Sequence, residues 1–550
     1  MINRATIRNF KRFAEQSFDL ADAVVLAGPN NSGKSTLLQA IATWRLGFDR
    51  WTSQRKGIGR YGVPITRSDF TAVPLREMNL LWEDRKVVIP PKNKRRLIEI
   101  ILEGKTQDEK WECGFEFEYD GSEQVYVRPL HAKKLPQDVI QQFPPQPAAD
   151  LKVIHVPPLS GINRDEPRHE RGMQDLLVGQ GRPGEILRNL LWEIAERSPD
   201  DDWRKVTEHI GNLFGIELIK PSYSSAQPFI VCEYNESGHS RPLDLSNVGS
   251  GTLQVLLLLA FLYSRPATTI LLDEPDSHQH IILQAQVYEL IRKVARERQG
   301  QIIIATHSEV ILDATEPTRV FGFFGEPRLL ADETERGRLH SALKRVTTMD
   351  FLLGRETGAI LYVESETDEK ILKEWASVLQ HPSWRFFKRP FVHYLRSRNL
   401  KEASTHFVAM QVAFPRMRGL CLIDGDNRDE PDEEIKQSGL VVLRWKRYEI
   451  ENYLMQPEAI KRMVPPLPLW QQLIEDKFWK LVPRETDLLG DHPALIHSKA
   501  SNEYLVPWLK ETGSPTPKRD LYLLAARMMP EEIHPEVKEK LDRIEEALCP

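Results

Sequence analysis

Gly28-Pro29-Asn30-Asn31-Ser32-Gly33-Lys34-Ser35-Thr36 has the G-x-x-x-x-G-K-[ST] spacing that lets backbone N–H groups close around phosphate. In such a loop Gly28, Asn30, Asn31, Ser32, Gly33 and Thr36 form the cradle. Lys34 neutralises β- and γ-phosphate charge, and the Ser35 hydroxyl ligates Mg²⁺. Asp273-Glu274, after the apolar run Thr269–Leu272, offers one carboxylate to orient that metal and a second to activate water. His307 closes the next apolar run, Gln301–Thr306, where it can reach a γ-phosphate. A separate acidic set follows two later runs: Glu364 and Asp368 after Ala359–Val363, and Asp424 and Asp426 after Leu420–Ile423. If those runs are neighbouring strands, the acids share one rim, with oxygen ligands enough for one or two Mg²⁺ or Mn²⁺ ions able to cleave a phosphodiester. Taken singly, each acid reads more readily as a solvated cap than as a ligand, and a lone histidine such as His307 as a packed or exposed residue.

The elements that must hold these residues follow from hydrophobic spacing. Residues 5–13 and 23–27 read as strands and 35–44 as a helix, an α/β opening. Alternation from Lys86 to Tyr126 predicts antiparallel strands. Pro136, Pro144, Pro145, Pro147, Pro157 and Pro158 then predict a long irregular connection crossed by no helix. Ile186, Leu187, Leu190, Leu191 and Ile194, then Val206, Ile210 and Leu213, predict two helices. Strand and helix patterns alternate again over 253–312 and restart at Ala359, as for a separate α/β domain, and the chain beyond Pro465 reads as mostly helical. No internal repeat or low-complexity tract interrupts this order.

The chain has 550 residues, 41% hydrophobic and 28% charged, which suits several domains with a sizeable core and excludes disorder. Its 74 Lys+Arg and 79 Asp+Glu give a net charge of −5, so a nucleic-acid surface must be a local patch. Four cysteines without C-x-x-C spacing, Cys113, Cys232, Cys421 and Cys549, argue against a zinc site and against a disulfide framework. The first residues lack a signal-like apolar run. The longest apolar run, Leu253–Tyr263 broken by Gln254, is too short to span a bilayer. A cytoplasmic protein without a membrane partner is expected.

Leu245-Ser246-Asn247-Val248-Gly249-Ser250-Gly251-Thr252 is a Ser/Gly-rich turn before a helix starting near Leu253, a helix cap or an anion-binding helix start. In order, the phosphate loop, this turn, Asp273-Glu274 and His307 resemble the ATPase heads of the ABC class that includes RecF and SMC proteins. That resemblance implies an ATP-dependent dimer in which Ser246, Gly249 and Ser250 of one copy complete the nucleotide site of another. The turn departs from the Leu-Ser-Gly-Gly-Gln of those heads.

The later acids resemble the TOPRIM catalytic domain, and a head followed by TOPRIM resembles the OLD family of ATP-dependent endonucleases, which includes the large subunit of the Gabija anti-phage system. The similarity covers the order of motifs over about residues 1–500. Its most family-like segment is Arg447-Tyr448-Glu449-Ile450-Glu451-Asn452-Tyr453-Leu454. The resemblance implies a further metal ligand, Glu449 or Glu451 with Glu449 preferred, and a late lysine, for which Lys499 in Ser498-Lys499-Ala500 is the local candidate. Ser365 stands where the family has glycine. The implied organisation is an ATPase head over 1–159 and 216–345, a helical dimerisation insertion over 160–215, a TOPRIM domain over 346–465 and a helical region over 466–550.

Between Arg385 and Arg418 there are eight Lys/Arg against one acid, Glu402, a stretch suited to nucleic acid, with Arg396, Arg398 and Lys401 as candidate contacts. Trp384, Phe386, Phe387 and Tyr394 interleave with them, and such rings are more often core than stacking platforms. The expected activity is an ATP-regulated, divalent-metal-dependent DNA endonuclease working as a homodimer or tetramer, with a helicase or other defence partner. The alternatives are an RNase toxin and an ATP-dependent DNA sensor without nuclease activity.

Overall fold

Ala23–Ala27 and Gln301–Thr306 are buried at every residue, and Thr269–Asp273 at all but its last, the pattern of strands covered on both faces. They form the centre of a six-stranded sheet ordered Val153–Val156, Thr269–Asp273, Gln301–Thr306, Ala23–Ala27, Val320–Gly322, Arg328–Leu329; every pairing is parallel except the last. In register, Asp273 pairs with Ala305 and Thr306 with Ala27, so three strand ends meet at one edge just before Gly28. The computed structural model describes residues 1–550 apart from 56–60, 71, 72, 74, 91–93, 106–108, 135, 158–160, 181, 225, 226, 239, 266–268, 278, 396–399, 427–438 and 550. The chain divides into two units, Met1–Leu343 and Lys344–Pro550.

In the first unit an antiparallel sheet runs in the order Phe13–Asp19, Ile2–Phe10, Ile98–Lys105, Lys110–Tyr119, Gln124–Pro129, Val63–Thr66. The helix Lys34–Gln54 packs against strands of both sheets. It buries Trp44 and Trp51 with Phe115 and Phe117 in one apolar core, a burial of about 2–3 kcal/mol for each large side chain. This packing fixes the base of the phosphate loop.

The proline-rich connection differs from its reading. It contains two short helices, Gln137–Gln142 and Gln146–Asp150, each with proline as its N-cap, where the missing N–H is harmless. It also holds the strand Val153–Val156, legible only through its remote partner Thr269–Asp273. The two expected helices are Leu187–Arg197 and Arg204–Phe214, and both pack on the helix Ser250–Ser264. That helix is buried from Leu253 through Ser264, which accounts for its unbroken apolar composition. No helix among the described residues is long and apolar enough to cross a membrane.

The second unit carries a parallel sheet ordered Val392–Tyr394, Ala359–Val363, Arg418–Ile423, Leu440–Arg444. Ala359–Val363 and Arg418–Ile423 are adjacent, as the acidic site requires. Ala359, Leu361 and Val363 face an apolar core built with the helix Glu366–Val378 and the largely helical chain from Ile450 to Leu548.

Candidate functional site

At the first strand edge the loop 28–36 turns sharply, with left-handed backbone at Asn31 (φ 60°) and Gly33 (φ 111°). A Cβ at Gly28 would lie 2.8 Å from Phe323 Cβ and from its carbonyl oxygen, so only glycine fits there. Lys34 Nζ donates to the carbonyls of Gly28 (2.7 Å) and Pro29 (2.9 Å), and Ser35 Oγ donates to Asp273 Oδ1 (3.0 Å). Burial lowers the Lys34 pKa, opposed by Glu274, Asp273 and Asp276, while burial raises Asp273. Ser32 Oγ is buried without a hydrogen-bond partner. An orphaned hydroxyl, a lysine held only by carbonyls and a hydroxyl–carboxylate pair suit Mg²⁺ and phosphate oxygens.

Glu274 has left-handed backbone (φ 48°), and its N–H donates to the Ala305 carbonyl (2.8 Å). His307 Nδ1 lies 3.5 Å from Glu274 Oε1. This contact raises the His307 pKa and lowers that of Glu274. Asp276, which the motif reading passed over, is buried and accepts the Thr306 hydroxyl (2.7 Å), fixing the turn after Glu274.

Ser246, Gly249 and Ser250 are exposed. Asp244 accepts the Ser246 N–H (2.8 Å) and is gripped by both terminal nitrogens of Arg188 (2.9 and 3.0 Å). Arg188 is 1% exposed and lies on the helix Leu187–Arg197, so the helical segment holds the Ser/Gly turn in place.

In the second unit the Asp424 N–H donates to Glu364 Oε1 (3.1 Å), joining the ends of adjacent strands. Asp424 Oδ1 accepts the Ile450 N–H (2.9 Å), which brings in the segment 447–454. Burial, then the charges of Asp368, Glu364 and Glu451, push the Asp424 pKa well above the carboxylate range. Burial likewise raises Asp368 to about 6 and Glu451 to about 7. Asp426 follows in left-handed backbone (φ 47°), its N–H on the Tyr448 carbonyl (3.0 Å). A Cβ at Gly425 would lie 2.4 Å from the Arg447 carbonyl oxygen, so glycine lets the two segments touch. Crowded, burial-shifted carboxylates with hard oxygen donors suit Mg²⁺ or Mn²⁺.

Ser365 has extended backbone (φ −149°) and caps the next helix, its hydroxyl donating to Asp368 Oδ1 (2.5 Å). No left-handed turn is needed there, so serine is compatible with the loop. Glu449, the preferred further ligand, directs its carboxylate to the Ser501 N–H (2.7 Å) and Lys518 (3.0 Å). Glu451 instead shares its field with Asp368 and Asp424. Lys499 Nζ lies 5.7 Å from the Tyr448 ring centre. The lysine beside the acids is Lys518, with Nζ 3.0 Å from Glu449 Oε2 and 3.0 Å from Glu451 Oε1. No spacing rule points to Lys518 in the sequence.

In the basic stretch Phe386 and Phe387 belong to the core, and the Tyr394 hydroxyl bonds Glu369. Lys401 is exposed on the helix Leu400–Ala413; Arg396 and Arg398 lie outside the described residues.

Residues 1–44 match the family described as "AAA ATPase domain", and residues 108–313 match "AAA domain, putative AbiEii toxin, Type IV TA system". Two segments of the first unit thus match AAA-type ATPase domains, which carries the phosphate-loop reading and makes ATP the expected ligand. No curated protein matches the chain. Among solved structures, an SMC head bound to the C-winged helix domain of ScpA is 17% identical with a TM-score of 0.36, covering 58% of this chain and 94% of that one. The SMC head domain from Thermotoga maritima is 14% identical with a TM-score of 0.31, covering 58% and 94%.

Proposed function

We propose that the chain is an ATP-regulated, divalent-metal-dependent DNA endonuclease of the OLD type acting in anti-phage defence, with a TOPRIM site in its second unit. The observation carrying this reading is the juxtaposition of Glu364 and Asp424, which follow two adjacent parallel strands, with Asp368 of the next helix and Glu451 of the segment 450–454, and with Lys518 beside Glu451. Bound Mg²⁺ or Mn²⁺ supplies water activation and charge neutralisation in such a site. The chain's own groups position it. The Asp424 amide orients Glu364, the Ser365 cap orients Asp368, and Lys518 balances the acidic charge and faces a scissile phosphate.

In the head, Lys34, Ser32 and Ser35 hold nucleotide phosphate and its metal, Asp273 orients that metal, and Glu274, paired with His307, orients the attacking water. The exposed turn Ser246–Ser250 completes the nucleotide site of a second copy, so ATP joins two chains and acts as a conformational ligand on cleavage. Lys401 and its basic neighbours contact the DNA backbone. A toxin-like RNase is the second reading; the family description matched at residues 108–313 names a "putative AbiEii toxin", without naming what it acts on.

Plasmid cleavage with Mg²⁺ or Mn²⁺, with and without ATP, tests the proposal using wild type, Asp424→Ala/Asp426→Ala and Lys34→Ala. Cutting that the double aspartate change abolishes, and Lys34→Ala alters only in its ATP response, is expected. Intact plasmid in every condition, with structured RNA cut instead, establishes the RNase reading.

A further inference from the structure

Away from the acidic rim, Asp350, His393 and His406 each bring a ligand atom to one place, all within 4.8 Å of one another. They come from three elements around the strand Ala359–Val363. Asp350 lies in the first turn of the helix Thr348–Thr357, His393 on the edge strand Val392–Tyr394, and His406 on the helix Leu400–Ala413. The two imidazoles stack with centres 4.1 Å apart.

His406 is 4% exposed, and its Nε2 makes no hydrogen bond. Asp350 Oδ2 stands 3.5 Å from that nitrogen, an ion-pair distance too long for a good hydrogen bond. The other ring nitrogen, Nδ1, is 2.9 Å from the hydroxyl of buried Tyr362. Metal-ligating histidines show this arrangement: one nitrogen faces the ion while the other is fixed by a hydrogen bond that sets the tautomer. Asp350 is fixed as well, since its Oδ2 accepts both the N–H (2.9 Å) and the hydroxyl (2.8 Å) of Thr347.

We infer that Asp350, His393 and His406 form a second, nitrogen-containing site for a borderline-soft divalent cation of the Zn²⁺ class, ligated by two imidazoles and one carboxylate. Two nitrogens and an oxygen suit Zn²⁺ or Co²⁺ and not Mg²⁺, whereas an all-oxygen rim suits Mg²⁺ or Mn²⁺. A drawing-in of about 1 Å per ligand brings the atoms to the 2.0–2.2 Å bond lengths of zinc. The ion would clamp the three elements onto the strand Ala359–Val363, a structural role independent of DNA cleavage.

The test loads full-length protein with Zn²⁺ or Co²⁺ in millimolar Mg²⁺, which fills the oxygen-only rim, and measures metal retained after gel filtration. Wild type and Asp424→Asn are expected to retain about one equivalent, and His393→Gln almost none. Co²⁺-loaded wild type should show the intense visible absorption of a four-coordinate, nitrogen-ligated ion. Equal retention by folded His393→Gln, or no retention by wild type, overturns the site. If His393→Gln does not fold, the cobalt spectrum of wild type decides, and weak octahedral absorption refutes the proposal.

Discussion

Lys518 Nζ lies 3.0 Å from Glu451 Oε1, on a carboxylate that is 1% exposed and shares its field with Asp424. A cation from the C-terminal helical region thus reaches the rim where two parallel strands end. The acidic site is thereby a property of the whole second unit.

Lys518→Ala should abolish metal-dependent cleavage, by about a hundredfold or more, while Lys499→Ala reduces it far less. It should also destabilise the second unit by about 1–3 kcal/mol, because Glu449 and Glu451 lose their counter-charge. The effect stays below that of a fully buried pair because Lys518 is 41% exposed. Urea unfolding and plasmid cleavage of both variants check this; equal cleavage loss in the two removes the special role of Lys518.

Lys34→Ala should weaken ATP binding about tenfold to a hundredfold, the value of a lost charge-assisted contact of about 1.5–3 kcal/mol. The fold should survive, because Lys34 hydrogen-bonds only the carbonyls of its own loop. Glu274→Gln should retain ATP binding but hydrolyse it about 10²–10⁴ times more slowly, as expected for loss of a water-orienting base. Fluorescent-nucleotide titration separates binding from turnover, and a Glu274→Gln protein with wild-type turnover assigns the water to another group.

The parts legible in the sequence were those with short-range chemistry. Residues 28–36, and the acids at 273–274, 364 and 424, each close or follow a mostly apolar strand, so their place at a sheet edge was readable. Lys518, the choice of Glu451 over Glu449 and the pairing of Arg188 with Asp244 were not, because each contact joins distant segments through folds that no local period encodes. Val153–Val156 was hidden by flanking prolines and became a strand only through Thr269–Asp273. The Asp350, His393 and His406 cluster spreads over three elements with no metal-motif spacing.

Gly425→Ala should destabilise the second unit by about 1–3 kcal/mol and lower metal affinity, because the added carbon meets the carbonyl oxygens of Arg447 (2.4 Å) and Trp445 (2.6 Å). Backbone cannot yield there without moving Asp424 and Asp426. Gly172→Ala, with nothing within 4 Å, is the control. Unchanged Mn²⁺ binding in Gly425→Ala would show that the close approach does not position the acids.

Glu166 gives the clearest pH dependence. It is fully buried beneath the helix Leu187–Arg197 and accepts the N–H groups of Arg188 (2.9 Å) and Asn189 (2.7 Å) and the Asn189 side-chain amide (2.6 Å). Burial outweighs these donors and raises its pKa from 4.5 to about 7. Between those values the folded chain binds more protons than the unfolded one, so this stabilising contribution is full below about pH 4.5 and disappears as pH rises through about 7. Wild type should therefore lose on the order of 2–3 kcal/mol of stability between pH 5 and 8 relative to Glu166→Gln, whose amide mimics the protonated acid. Urea midpoints of the two proteins across that range measure it. Parallel pH profiles would mean that the three donors hold Glu166 ionised throughout, with the Arg188 helix anchored to a permanent charge.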